Sequence, residues 1–170
     1  MDKWGRIEFQ SRGSPHLHML IWVENHPSLE TPEGLKVVDK VITCRMPPAD
    51  SPLHKLVKDC QIHQHRPTCH KNGNIRCRFR FPRLPNTKTH LVKMGSQEFL
   101  RNGGRDCILE RASGSEWVNN YNETLLELWK ASMDVERFGH QMVLFGIENC
   151  CDFVNPQYSE NFRLFCESEV

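Results

Sequence analysis

Two runs of alternating polarity, Arg6 to Gln10 and His16 to Val23, stand either side of a Gly-Ser-Pro turn and restrict the opening of this chain to a pair of antiparallel strands. In the first run Ile7 and Phe9 share one face and Glu8 and Gln10 the other. In the second, Leu17, Met19, Ile21 and Val23 share one face and His16 and His18 the other. A connection from Ser11 to Pro15 pairs Gln10 with His16 and Glu8 with His18, gathering a polar quartet on one face. Imidazoles at i and i+2 of a strand point the same way. A carboxylate or amide opposite them adds a third ligand and leaves positions open for phosphate and water. His16 and His18, with Glu8 or Gln10, are therefore candidate metal ligands; the competing reading is two polar residues on the wet side of an ordinary strand.

The chain has 170 residues, enough for one core-forming domain, and its 38% hydrophobic and 25% charged residues place it outside the disordered and membrane classes. No stretch approaches the roughly 20 apolar residues of a membrane span. MDKWGRIEFQ lacks the apolar core of a signal peptide, which points to an intracellular protein. Eight cysteines are scattered beside nine histidines, a pattern that favours reduced thiols and metal binding over a disulfide scaffold. The net charge of +1 conceals a segregation: His54 to Arg105 carries twelve Lys/Arg against two acids, whereas residues 106 to 170 carry four against twelve. A basic middle third attracts polyanions such as nucleic acid through counterion release; a solvated basic face balanced by the acidic C-terminal third is the alternative.

After the strand pair, Thr31-Pro32-Glu33 opens one helix carrying Leu35, Val38 and Ile42, and Ser51-Pro52 opens another carrying Leu53, Leu56, Val57 and Cys60. VITCRMPP between them reads as a short strand. Arg101 to Arg105 is a turn, CILE a brief strand, and Asn122-Glu123 starts a helix that runs to about Ser132. Beyond Phe138 come two apolar runs, MVLFGI and FRLF, so we divide the chain into a domain over 1–138 and an unassigned tail over 139–170.

A second constellation lies in the His/Cys-rich basic segment 60–83. His65 and Cys69 are four apart, Cys77 follows after seven residues, and His63 or His70 can complete a tetrahedral zinc site; we take His63, His65, Cys69 and Cys77 as the candidate set. Arg76, Arg78, Arg80 and Arg83 interleave with Phe79 and Phe81, which offers guanidinium groups to a phosphate backbone and rings to unstacked bases. A strand with the same alternation would bury both rings and leave the arginines solvated.

The string IEFQSRGSPHLHMLIW matches the pattern E-x-Q-x-R-G-x-P-H-x-H and resembles the replication-initiator domain of Helitron rolling-circle transposases, an HUH endonuclease, also called the Helitron helicase-like domain. The similarity continues through KVITCRMPP, through the His/Cys region ending in CRFRFPR, and through WVNNYNETLLELWKASMDVE, and it covers about residues 4 to 137. It implies an α+β fold, an antiparallel sheet with flanking helices. It further implies Mg or Mn held by His16 and His18 with a third polar ligand, for which the strand pairing offers Glu8 or Gln10; the one structural Zn expected in the His/Cys segment rests on the spacing there and not on the resemblance.

By the same resemblance the metal polarises a scissile phosphate in single-stranded DNA and a tyrosine oxygen attacks it, leaving a 5′-phosphotyrosyl enzyme and a free 3′-hydroxyl. The family carries paired tyrosines with nearby lysines, whereas this chain has only Tyr121 and Tyr158 as candidate nucleophiles. It also begins directly before the strand pair and lacks a GxxxxGK[ST] loop, so the expectation is a truncated, partial domain with impaired nicking, without the helicase that follows in full-length members, acting in the nucleus. Two other classes stay open: a zinc-stabilised nucleic-acid-binding module without catalysis, and a non-functional transposon remnant.

Overall fold

Leu17, Met19 and Ile21 are buried while His16, His18 and Leu20 between them stay half-exposed, the alternation expected of a strand with one face on a core. The structure, a computed structural model, describes residues 3–9, 15–22, 25–73, 75–140 and 142–148. In chain order its elements are β1 (Lys3–Phe9), β2 (Pro15–Trp22), α1 (Pro32–Val41), α2 (Pro52–Cys60), a 3-10 turn (Pro67–Gly73), β3 (His90–Leu91), α3 (Gln97–Arg101), β4 (Cys107–Ile108), α4 (Glu123–Trp129), β5 (Met133–Phe138) and β6 (Met142–Glu148). The fold is α+β: an antiparallel sheet of order β1-β2-β6-β5, a two-stranded β3-β4 ribbon, and four helices.

The register of the first pair differs from expectation. Phe9 pairs with Pro15, Glu8 with His16 and Arg6 with His18. Pro15 has no N–H to give the ladder and is tolerated as the first residue of a strand. It therefore belongs to β2 and not to the connection. The displacement is two residues, which keeps every side chain on its face, so the polar pattern alone could not distinguish the two registers.

The run MVLFGI, placed in the tail by sequence, is the third strand of the sheet: β6 lies between β2 and β5, with Val143 and Ile147 on the core face. The helix expected to reach Ser132 stops at Trp129, because Lys130 takes a left-handed conformation (φ 49°) and its N–H donates to Leu126 O. The chain then has room to enter β5. VITCRMPP contributes a single bridge, Thr43 to Tyr121, in place of a strand.

Both proline-led helices form as read. The Thr31 hydroxyl accepts from Gly34 N at 3.1 Å and the Ser51 hydroxyl from Leu53 N at 3.3 Å, meeting helix-end donors that would otherwise lack partners. Gly34 is required by space: a Cβ there would lie 2.0 Å from Ser28 O. Val38, Leu53, Val57, Leu125, Leu126 and Trp129 join Leu17, Met19, Ile21, Met133, Val135, Val143 and Ile147 in one core, so α1, α2 and α4 cover one sheet face. Each fully buried aliphatic side chain contributes roughly 1.5–3 kcal/mol. The opposite face, with His16 and His18, is left uncovered by that core. Among the described residues no helix is long and apolar enough to cross a membrane.

Asn122 ties two helices together: its Oδ1 accepts from Leu125 N at 2.9 Å as the cap of α4, and its Nδ2 donates to Val41 O at 2.9 Å at the end of α1. Asn122→Ala removes the cap and takes the donor from the half-buried Val41 carbonyl, so it is expected to lower stability by about 2 kcal/mol. Urea denaturation of the two proteins measures this.

Candidate metal centre

The strap that leaves α2 is pinned by its backbone before it reaches the His/Cys segment. Gln61 O accepts from Asn119 N at 2.8 Å, Ile62 bridges Val118, and His63 N donates to Trp117 O at 2.8 Å. His63 is thereby held in place. The 3-10 turn begun by Pro67 then brings in Cys69, whose N–H donates to Arg66 O at 2.8 Å while its Sγ accepts from Arg66 N at 3.4 Å. Cys69 O in turn accepts from Arg78 N at 2.9 Å, folding the second half of the segment back so that Cys77 faces Cys69.

The result is a group of four: the ligand atoms of His63, His65, Cys69 and Cys77 all lie within 4.8 Å of one another, with both cysteines buried and His65 exposed. His63 Nε2 is 3.6 Å from Cys69 Sγ and 3.4 Å from Cys77 Sγ. Zn–S and Zn–N bonds of about 2.3 and 2.0 Å at tetrahedral angles require an N···S edge of about 3.5 Å. The donor set therefore fits a four-coordinate zinc, and it can bind a metal of that kind. Burial, followed by the positive neighbours His65, Arg83 and Arg66, lowers the His63 pKa, which favours the neutral imidazole that a metal needs. Of the two histidines left open by sequence, the structure gathers His63 and not His70, whose ring centroid lies 5.3 Å from that of His65.

Cys69, Cys77 and Phe81 form their own small core. Phe81 stacks on His63 (centroids 4.3 Å apart, planes 9° from parallel), and the Arg83 guanidinium lies over the Phe81 ring, 4.6 Å from its centroid. The alternation of arginine and phenylalanine is thus not a strand. Arg80 is left-handed (φ 62°), which turns the chain so that Phe81 enters the core while Phe79 stays exposed beneath the Arg78 guanidinium at 4.4 Å.

The four arginines consequently part company. Arg76 and Arg78 are exposed and Arg80 half-buried, whereas Arg83 is turned inward: Nη1 donates to Asn120 Oδ1 at 3.0 Å and Nε is sealed from solvent without a partner. Burial, then the nearby Arg105, lowers its pKa to about 9. Arg83 is a packing and positioning residue, not the outward phosphate contact expected of it.

On the sheet, the His16 and His18 rings lie 4.4 Å apart, tilted by 30°. Glu8 Oε2 is 3.6 Å from His18 Nε2, and Arg6 Nε is 3.4 Å from Glu8 Oε1. Across the ladder His18 faces Gly146, where a Cβ would stand 3.4 Å from His16 Nε2, so the glycine leaves the imidazoles room. Gln10 lies outside the described residues, as does Tyr158. Among the described residues, the His63 group is the one His/Cys/Asp/Glu set gathered within 4.8 Å. The register also brings Asp134 onto this face, opposite Gly146, which strand parity would have indicated had β5 and β6 been recognised; its carboxylate is engaged by Arg105, which also reaches Glu136 at 2.8 Å.

Tyr121, a candidate nucleophile by sequence, is placed in the core. It is fully buried, its hydroxyl donates to Arg45 O at 2.9 Å, and burial raises its pKa above the ordinary tyrosine value.

No family model, curated protein or solved structure matches this chain.

Elemental analysis of the purified protein is expected to return one zinc per chain. Chelation or Cys77→Ser should remove it and lower the midpoint of thermal unfolding by several degrees, because metal-binding free energy in such a site is folding free energy. A metal-free protein with the same melting curve would contradict the assignment.

Proposed function

We propose that this chain is a partial HUH endonuclease domain of the Helitron transposase kind, which binds single-stranded DNA through a zinc-stabilised basic module and presents a metal-dependent nicking site on its open sheet face. The observation that carries the reading is the placement of His16 and His18 on one face of β2, with Glu8 beside His18 and a glycine opposite. The two imidazoles and the carboxylate would hold Mg or Mn. When bound, that ion supplies charge to polarise a phosphodiester. The side chains themselves orient the ligand set and leave one side open for a phosphate. Arg76 and Arg78 flank Cys77, and Phe79 is exposed beside them, so a strand crossing the module meets two cations and a stacking ring.

Strand transfer is the weakest function on this reading. With Tyr121 sealed in the core, attack on phosphorus depends on Tyr158 or on a nucleophile outside residues 1–170. A helicase partner and a nuclear site of action follow from the same reading. A second reading is favoured by the compactness of the His63 group beside the openness of the His16 pair: a zinc-stabilised nucleic-acid-binding module without catalysis.

The two are separated by a gel assay for covalent attachment of labelled single-stranded DNA, run with Mn and with chelator, together with Mn titration. The first reading expects Mn binding that is lost in the His16→Ala/His18→Ala double variant, and a faint or absent adduct that, where present, needs Mn and Tyr158. Mn affinity unchanged in the double variant, with DNA binding intact, would leave only the second.

A further inference from the structure

Between the His/Cys module and the β3-β4 ribbon lies a cavity of about 500 Å³, within the range of pockets that hold small ligands. Its charged wall is one-sided: Arg76, Arg80, Arg83, Arg101 and Arg111 against Glu98. Arg83 and Arg111 are held by Asn120, but no side-chain hydrogen bond or ion pair engages Arg76, Arg80 or Arg101 among the described residues. Five guanidinium groups around a recess with a single carboxylate carry an excess of positive charge, and an anion with several oxygens offsets it while using their planar, forked donors. The rest of the wall combines apolar Pro82, Leu84, Ile108 and Leu109 with the amides of Asn86, Asn102 and Asn120 and the His90 ring. Arg80 holds a left-handed backbone that non-glycine residues avoid, and its half-buried side chain is thereby directed into this wall. Such conformations persist where the position of the side chain matters.

We propose that this cavity is a nucleotide site, taking one phosphorylated nucleotide with its phosphate on Arg76, Arg80 and Arg101 and its base against the apolar wall. The identity of the nucleotide as one unit of a DNA strand rests on the function proposed above; the site itself does not. The cavity is also coupled to the metal centre. Cys77 belongs to both, and Phe81 touches both the His63 ring and the Arg83 guanidinium, so the metal orders one wall of the cavity. By linkage, occupancy of the cavity strengthens metal binding by the factor with which metal strengthens occupancy.

Calorimetric titration of the zinc-loaded full chain with dTMP, inorganic phosphate and oligo(dT) tests this. Saturable binding of one dTMP, tighter than phosphate, is expected, with affinity at least tenfold lower in Arg80→Gly and in Arg101→Gln. Glycine suits a left-handed position, so Arg80→Gly should melt at the same temperature as the parent or higher; Arg101→Gln, at the exposed end of α3, is the independent check should Arg80→Gly fail to fold. Chelation should weaken dTMP binding. The proposal is overturned if dTMP binds no better than phosphate, or if both variants bind it like the parent. Oligo(dT) bound without any dTMP binding removes the cavity and leaves the DNA-binding function standing. The pattern of dTMP binding lost in the variants, with oligo(dT) no tighter than dTMP, keeps the cavity and removes that function in favour of a free nucleotide.

Discussion

The pairing of β2 with β6 is the constraint on which the rest of this molecule depends. It joins residues 16–22 to 142–148, the two ends of the described chain, and every element between them is enclosed by that closure. Closing so long a loop carries an entropic cost that grows only slowly with length, and the alternating apolar faces of both strands offset it by burying Leu17, Met19 and Ile21 with Val143 and Ile147. The same pairing decides the polar face. Because Gly146 stands opposite His18, the strand that completes the core on one side leaves space over the imidazoles on the other.

A second junction connects the basic module to this sheet through one amide. Asn120 Oδ1 accepts from Arg83 at 3.0 Å and from Arg111 at 3.4 Å, and its Nδ2 donates to Val135 O at 3.2 Å on β5. Arg111 also donates to Ser115 O and Val118 O, so the turn that anchors His63 through Trp117 O belongs to the same network. Two guanidinium groups on one neutral oxygen are poorly compensated, and burial lowers the pKa of both. The arrangement positions the module at the expense of an uncancelled positive field beside the cavity.

What could be seen in the sequence was local. Proline with a preceding Thr or Ser marks a helix start through contacts within a few residues, and both starts were placed correctly. His65, Cys69 and Cys77 are close in sequence, and zinc geometry narrows their fourth partner to a nearby histidine. Long-range pairing was not visible. β6 needed a partner strand more than a hundred residues away, β5 in turn needed β6, and a left-handed Lys130 carries no glycine to announce the end of α4. Likewise the inward turn of Arg83 depends on Asn120, a residue that nothing in the Arg-Phe alternation specifies. The two-residue register error between β1 and β2 arose because period-two patterning is blind to even shifts.

The His63 group and the His16-His18 pair differ in donor chemistry and in exposure. The His63 group has thiols that are buried and a backbone N–H already aimed at Cys69 Sγ, so its ligands are preorganised and soft, suited to a closed structural site. His16, His18 and Glu8 present nitrogen and oxygen donors on a half-exposed face, and three ligands leave a divalent ion undersaturated. Affinity at such a face must come in part from the phosphate oxygens of a bound strand. On the proposed function, metal and nucleic acid would therefore bind the sheet face cooperatively, while the zinc module and its arginine-lined cavity hold the strand without reference to that metal. On that reading grip and chemistry are separate, so strand binding asks nothing of Tyr121, which is locked in the core.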